Sequence, residues 1–318
     1  MPEGEAVLGK PSGAVDSTRT ADSTLDRSPS ASGPRRRRPS RRVVGLAVGG
    51  LAVALALAIS LPLALHRPDP RPVGGPSGTT WNLQLDENFS SDTASLLDSG
   101  VWHSGWFGNG RLTGPVNSEE RSLFTDANIS VADGRATFDV TPNSRKRALS
   151  DGTTQPNLGG AINSDDEQAR EGFMLGYGYV EARMRLPAGG PGEQVWPAFW
   201  LTGHTWPDDM EIDIVEGDGT DQGCKFNVHY GSHHQDTVNL NHVDRTRTVR
   251  GATTGMHTYA ADIRPDGVTF YYDGKPVYAF HGQVPDARRF VMVGVSAAGV
   301  VTGTRSLEVD YVRAWTRG

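Results

Sequence analysis

The stretch YVEARMRLP, from Tyr179 to Pro187, alternates without a break. Val180, Ala182, Met184 and Leu186 share one face, while Glu181, Arg183 and Arg185 share the other, which is the period of a half-buried strand. The same period returns in RATFDVTP, FVMVGVSA and RSLEVDYVRAW. In VTFYYDGKPVYAF the pair Asp273-Gly274 supplies the positive φ angles of a tight hairpin turn. No long amphipathic helical period follows Leu65. Many short antiparallel strands in one unit of this size predict an all-β fold, a jelly-roll sandwich.

The first 65 residues obey other rules. Residues 1–42 are rich in Ser, Pro, Arg and Asp and poor in large apolar side chains, so they are expected to stay disordered. Residues 43–65, VVGLAVGGLAVALALAISLPLAL, carry no charge and are long enough to cross the roughly 30 Å core of a bilayer as a helix. The basic block RRRRPSRR lies just before this run, which predicts a single-pass anchor with the N-terminus in the cytoplasm and the rest outside. A cleaved signal peptide is the alternative, leaving a secreted protein. Residues 66–80, rich in Pro and Gly, read as a spacer, and residues 81–318 as the folded domain. The whole chain carries −6 and the first 42 residues +4, leaving −10 for residues 66–318. Such a charge argues against nucleic acid as a partner. Cys224 is the sole cysteine, so no intrachain disulfide or thiolate cluster forms; separately, a monomer is expected.

The stretch DDMEIDIVEGDG sets Glu211, Asp213 and Glu216 among isoleucine and valine. On a regular strand Glu216 would point away from the other two. A bulge that inserts one extra residue restores the phase and turns all three acids to one side. Retaining glycosidases place two carboxyl groups about 5–5.5 Å apart. Four strand positions span roughly 13 Å between Cα atoms, so the side chains would have to lean together. Asp213, between them, would help to separate the two glutamate pKa values. Periodicity alone describes a solvated acidic face equally well.

Other stretches narrow the choice. EIDIVE resembles the bulged active-site signature of glycoside hydrolase family 16, in its laminarinase-like form. Around it, in order, YGYVEARMRLPAG with VWPAFWL, FNVHYG, MHTYAADIRPDGVTFYYDGKPV and LEVDYVRAW are similar to other strands of that family. The resemblance covers almost all of residues 81–318 and none of residues 1–80.

The resemblance implies a concanavalin A-like jelly roll with an open concave cleft. It makes Glu211 the nucleophile, Asp213 its helper and Glu216 the acid/base. It also implies sugar-stacking roles for Trp196, Trp200 and Trp206, sugar contacts for Asn117 and Glu120, and a place for His229 near the acid/base. No cofactor is expected for catalysis. One structural Ca²⁺ is implied away from the cleft, with Glu87 and Asp310 as its expected carboxylate ligands. Two segments depart from the usual glucanase form, SAAGVVTGTR (Ser296–Arg305) and HSGWFGNGRLTGPVNSEE (His103–Glu120). Both are expected to border the cleft.

The activity implied is a retaining endo-β-glycosidase acting on a β-1,3 or mixed β-1,3/1,4 glucan. A transglycosylase of envelope polysaccharide would use the same intermediate with a sugar acceptor. A lectin-like binding domain would share the fold, but would not need the full Glu-x-Asp-x-x-Glu set.

Overall fold

The computed structural model describes residues 70–106, 111–115, 117–165, 172–234 and 237–318. The expected disordered tail, the apolar run 43–65 and the start of the spacer lie outside the described residues. Among those described, no helix is long and apolar enough to cross a membrane.

The fold is an all-β, jelly-roll-like sandwich of two sheets. The back sheet runs, in spatial order, Lys275–His281, Gly267–Tyr272, His257–Arg264, Gly178–Arg185 and Arg305–Arg317. The long last strand takes two partners along its other edge. Trp81–Glu87 pairs with its C-terminal half and Arg135–Pro142 with its N-terminal half, and Ile129–Ala132 follows. The second sheet carries the cleft. Its order is Asn157–Asn163, Arg289–Ala297, Val195–Thr202, Glu211–Gly217, Gly223–His234 and Thr237–Thr248. These pairings are antiparallel. The helical elements described are two short pieces, Thr93–Leu97 and a 3-10 turn at Asp126–Asn128.

The alternation explains the core. Val180, Ala182, Met184 and Leu186 are buried from the back sheet. Ile212, Ile214, Phe226, Val228, Val291, Val293 and Val295 meet them from the cleft sheet in one cluster. The hairpin follows the sequence as well: Asp273 and Gly274 both take positive φ, at 47° and 73°, between paired strands.

The outward row of Gly178–Arg185 departs from its expected exposure. Arg183 and Arg185 pair with Asp310 and Glu308 at a partly exposed surface, but Glu181 is only 1 % exposed. The cover comes from the segment expected to be a free spacer. From Pro70 onward it straps across the back sheet. The Trp315 indole donates to the Pro70 carbonyl at 2.8 Å, and the Val73 amide donates to the Glu181 carboxylate at 2.9 Å. The other Glu181 oxygen accepts from the Tyr311 hydroxyl at 2.7 Å. A Cβ on Gly74 would come within 2.8 Å of the Gly274 backbone, so only glycine lets the strap lie this close. Burial pushes the Glu181 pKa up, while the Tyr311 and Val73 hydrogen bonds and the charge of Arg313 pull it back.

Cutting the strap would leave a buried carboxylate short of a donor. Hydrogen bonds to charged groups are worth about 1.5–3 kcal/mol, and about 2–4 °C of Tm accompanies each kcal/mol at this size. A chain beginning at Trp81 should therefore melt roughly 3–12 °C below one beginning at His66. Paired thermal melts measure this, and equal Tm values would make the strap incidental.

Candidate active site

The carboxylate strand, Glu211–Gly217, lies between Val195–Thr202 and Gly223–His234. Its register with the latter runs Glu211 to His229 and Asp213 to Asn227, then steps from Asp213 to Glu216 while the partner moves only to Lys225. The extra residue is accommodated where Ile214 and Val215, both fully buried, stand side by side in the core. The expected bulge is therefore present, and it turns Glu211, Asp213 and Glu216 into one cleft.

Facing residues of an antiparallel pair share a side of the sheet. Each acid is thus faced across the ladder by a polar side chain: Glu211 by His229, Asp213 by Asn227, Glu216 by Lys225. On the other flank, Ala198 lies opposite Glu216 and Trp200 opposite Asp213. Gly294 and Ser296 of Arg289–Ala297 continue the floor beside Ala198 and Trp196. The cleft encloses about 550 Å³.

Glu216 is held from both sides. The Trp196 indole donates to its Oε1 at 2.8 Å, and the Asn227 amide donates to its Oε2. At the other end, His229 Nε2 lies 3.2 Å from Asp213 Oδ2 and 3.8 Å from Glu211 Oε1. Glu211 is pushed up to about 8. Burial is the largest cause, followed by the charge of Asp213, with Glu216 adding less. His229 and a hydrogen bond from Thr202 act the other way. A low-dielectric site that already holds one negative charge resists a second.

All nine residues singled out as catalytic or sugar-contacting line this one cleft. Their surroundings differ. Trp200 is 6 % exposed and packs on Phe290 and Met292, with Trp106 tilted against it at 5.1 Å, so it forms a wall more than a free platform. Trp206 is 41 % exposed, on the turn that leads into the carboxylate strand. Asn117 uses its side-chain carbonyl to accept the Glu119 and Glu120 amides, at 3.0 Å each, which fixes the turn that brings Glu120 to the cleft. Both segments that depart from the glucanase form reach it, through Trp106, Asn117 and Glu120 in one and Ser296 in the other.

Sequence reasoning passed over Trp106, Lys225 and Asn227. The last two were within reach, because a count of two and four residues back from His229 gives Asn227 and Lys225. Trp106 had only its place in a glycine-rich segment to mark it.

The expected calcium ligands do not fit a cation. One Glu87 oxygen accepts from the Phe89 amide at 2.6 Å and the other from the Trp102 indole at 3.1 Å. Asp310 lies between the guanidinium groups of Arg135 and Arg183. A divalent ion there would have to displace donors and face two positive charges. Glu211, Asp213 and His229 do gather donor atoms within 4.8 Å of one another, but these belong to the cleft chemistry described above.

A family model described as "Glycosyl hydrolases family 16" matches residues 120–312. Glucan endo-1,3-beta-glucosidase A1 of Niallia circulans is 26 % identical over 276 residues, covering 75 % of this chain and 36 % of that protein. Endo-1,3-1,4-beta-glycanase EglC of Rhizobium meliloti is 26 % identical over 263 residues, covering 73 % of this chain and 52 % of that protein. The chain therefore spans about half or less of the length of either relative. Among solved structures, the catalytic domain of an endo-1,3-beta-glucanase (laminarinase) from Thermotoga petrophila superposes with a TM-score of 0.61 at 18 % identity, over 75 % of this chain and 99 % of that one. At that identity the likeness shows the fold.

The raised Glu211 has a consequence for stability. Unfolded, the group ionises near 4.5, and folded near 8. Between those values the folded chain retains a proton that the unfolded chain releases, so the residue's contribution to stability falls as pH rises. Glu211→Gln carries no such proton. Its Tm relative to the unaltered protein should climb from about pH 4.5 to about 8 and level off beyond. Melts across that range measure the difference, and a flat difference would contradict the assigned burial.

Proposed function

The chain belongs to glycosyl hydrolases family 16 and is a glycoside hydrolase, and from that premise we propose that it cuts internal linkages of a β-1,3 or mixed β-1,3/1,4 glucan with retention of configuration. The observation that carries the reading is the bulge that aims Glu211, Asp213 and Glu216 into one cleft flanked by Trp196 and Trp206. The names of the two bacterial relatives favour a β-glucan. The enzyme is proposed to act outside the membrane, tethered through residues 43–65.

In this reading Glu211 attacks the anomeric carbon and Glu216 gives a proton to the departing oxygen, then takes one from water. The two environments differ, as two distinct roles require, but the burial of Glu211 works against the ionisation that its attack needs. Glu216 is held by an indole N–H and an amide N–H, which keep its carboxyl aimed along the cleft. Glu211 must be ionised to attack, and it sits where ionisation is resisted. Asp213 and His229 lie beside it, the first raising its pKa and the second lowering it, so their balance sets how readily Glu211 ionises. Sugar rings stack well on indole faces, because the C–H face of the ring is apolar.

Residues 66–318 should release oligosaccharides from laminarin or lichenan, and NMR of a fresh digest should show the β anomer first. A first product in the α configuration would exclude double displacement. Glu211→Gln should abolish turnover with binding largely kept, and Glu216→Ala should lower kcat by about 10²–10⁴-fold. Near-normal hydrolysis by both variants would make the cleft a binding site only. Added oligosaccharide acceptors, followed by product sizing, separate hydrolysis from transfer.

The neighbours of Glu211 make opposite demands on the pH profile. Asp213→Asn removes a charge that raises the Glu211 pKa, so the acid limb of kcat/KM should move to lower pH. His229→Ala removes a group that lowers it, and the limb should move to higher pH. Shifts in the same direction would mean that the limb reports another group.

A further inference from the structure

Arg289 is a large charged side chain that lies fully buried, at 0 % exposure. It lies at the start of Arg289–Ala297, the strand that supplies Gly294 and Ser296 to the cleft floor. Its side chain grips the main chain. Nε donates to the Met210 carbonyl at 2.9 Å, Nη1 to the Ala287 carbonyl at 3.0 Å and Nη2 to the Pro285 carbonyl at 3.0 Å. Burial pulls its pKa down to about 10, with Asp209, Tyr177 and Asp286 nearby holding it up, so it is charged at neutral pH.

Burying a guanidinium is costly unless its donors are matched. Here one of these three hydrogen bonds goes to the residue just before Glu211. Met210 has φ of +62°, a left-handed conformation rarely taken by an unbranched side chain outside special turns. Its amide donates back to the Pro207 carbonyl at 3.0 Å, and Asp209 closes the same turn through the Thr205 amide at 2.8 Å. The turn carries Trp206, and the peptide leaving Met210 is the first of the carboxylate strand. The Met210 carbonyl is therefore the joint between the exposed indole and the first acid.

We infer that Arg289 is a positioning residue for the reaction, which fixes the Met210–Glu211 peptide and so sets both the approach of Glu211 and the placement of Trp206. It touches neither substrate nor reacting atoms. The inference rests on the reading of Glu211 as nucleophile. Two donors lock the guanidinium to Ala287 and Pro285 on its own segment so that the third holds the Met210 carbonyl in a fixed direction, which a single ammonium cannot reproduce. A shift of about 1 Å in an attacking group costs about 100-fold in rate.

The test compares Arg289→Lys and Arg289→Ala with Phe138→Leu, a back-sheet core variant that serves as a stability control. Loss of positioning should lower kcat about tenfold or more through Glu211, with a smaller rise in KM from the displaced Trp206. Millimolar guanidinium should restore part of the kcat of Arg289→Ala and none in Phe138→Leu. In Arg289→Lys the carboxyl titration of Glu211, read by ¹³C NMR, should move from its value in the unaltered protein. A folded Arg289→Ala with near-normal kcat would overturn the inference. So would an equal kcat loss in Phe138→Leu at matched Tm. Should Arg289→Ala fail to fold, Arg289→Lys carries the comparison through kcat, KM and the titration. Should the unaltered protein cleave no glycan, the catalytic reading fails, and the Glu211 titration alone decides whether Arg289 fixes the carboxyl: an unmoved midpoint overturns it.

Discussion

The register slip between Asp213 and Glu216 is the constraint on which the cleft depends. A strand has two faces, and a solvent-facing acid normally recurs at every second position. By placing Ile214 and Val215 together in the core, the chain shifts its phase once and keeps both faces consistent. Ile212 and Ile214 remain packed before the slip, and Glu216 joins the earlier acids after it. The apolar pair is what makes the slip stable, since a polar residue at either position would be buried without partners. Chemistry at the surface is thus set by packing beneath it.

The electrostatics follow from the same geometry. Three carboxyl groups on one face would repel one another if they shared one environment. The flanking strands prevent that by setting different partners at the two ends of the row. The imidazole of His229 stands between Asp213 and Glu211, while the Asn227 amide and the Trp196 indole N–H both reach Glu216. The acids become inequivalent through these neighbours and through burial. A general acid and a nucleophile built from the same residue type require such inequivalence.

How much of this was legible in the sequence depended on range. The strand period in YVEARMRLP, the Asp273-Gly274 hairpin and the need for a bulge in EIDIVE are local, and each reads directly from neighbouring residues. Glu181 looked like a solvent-facing acid, because what buries it is a segment more than a hundred positions away. The strap itself was hidden by composition: Pro and Gly mark a flexible spacer and a tightly apposed segment alike. Arg289 gave no signal, since its partners are backbone carbonyls, which carry no side-chain identity. Glu87 and Asp310 were visible as carboxylates, but Asp310 is occupied by arginines of two other strands, and Glu87 by the Phe89 amide and the indole of Trp102.

The two ends of the sandwich meet. Trp81–Glu87 runs beside the closing strand Arg305–Arg317, and the Gly318 amide donates to the Thr80 carbonyl at 3.0 Å. Both lie on the sheet that faces away from the cleft, so a chain joined at either end leaves the groove open along its length. The same adjacency makes the unit suited to circular permutation, with a bridge that returns from Gly318 to the start of the strap at Pro70 and new ends placed in an exposed loop. It could equally be spliced into a surface loop of another protein, entering and leaving through one small gap. Architecture that keeps a polymer's path clear also makes the sandwich a portable module.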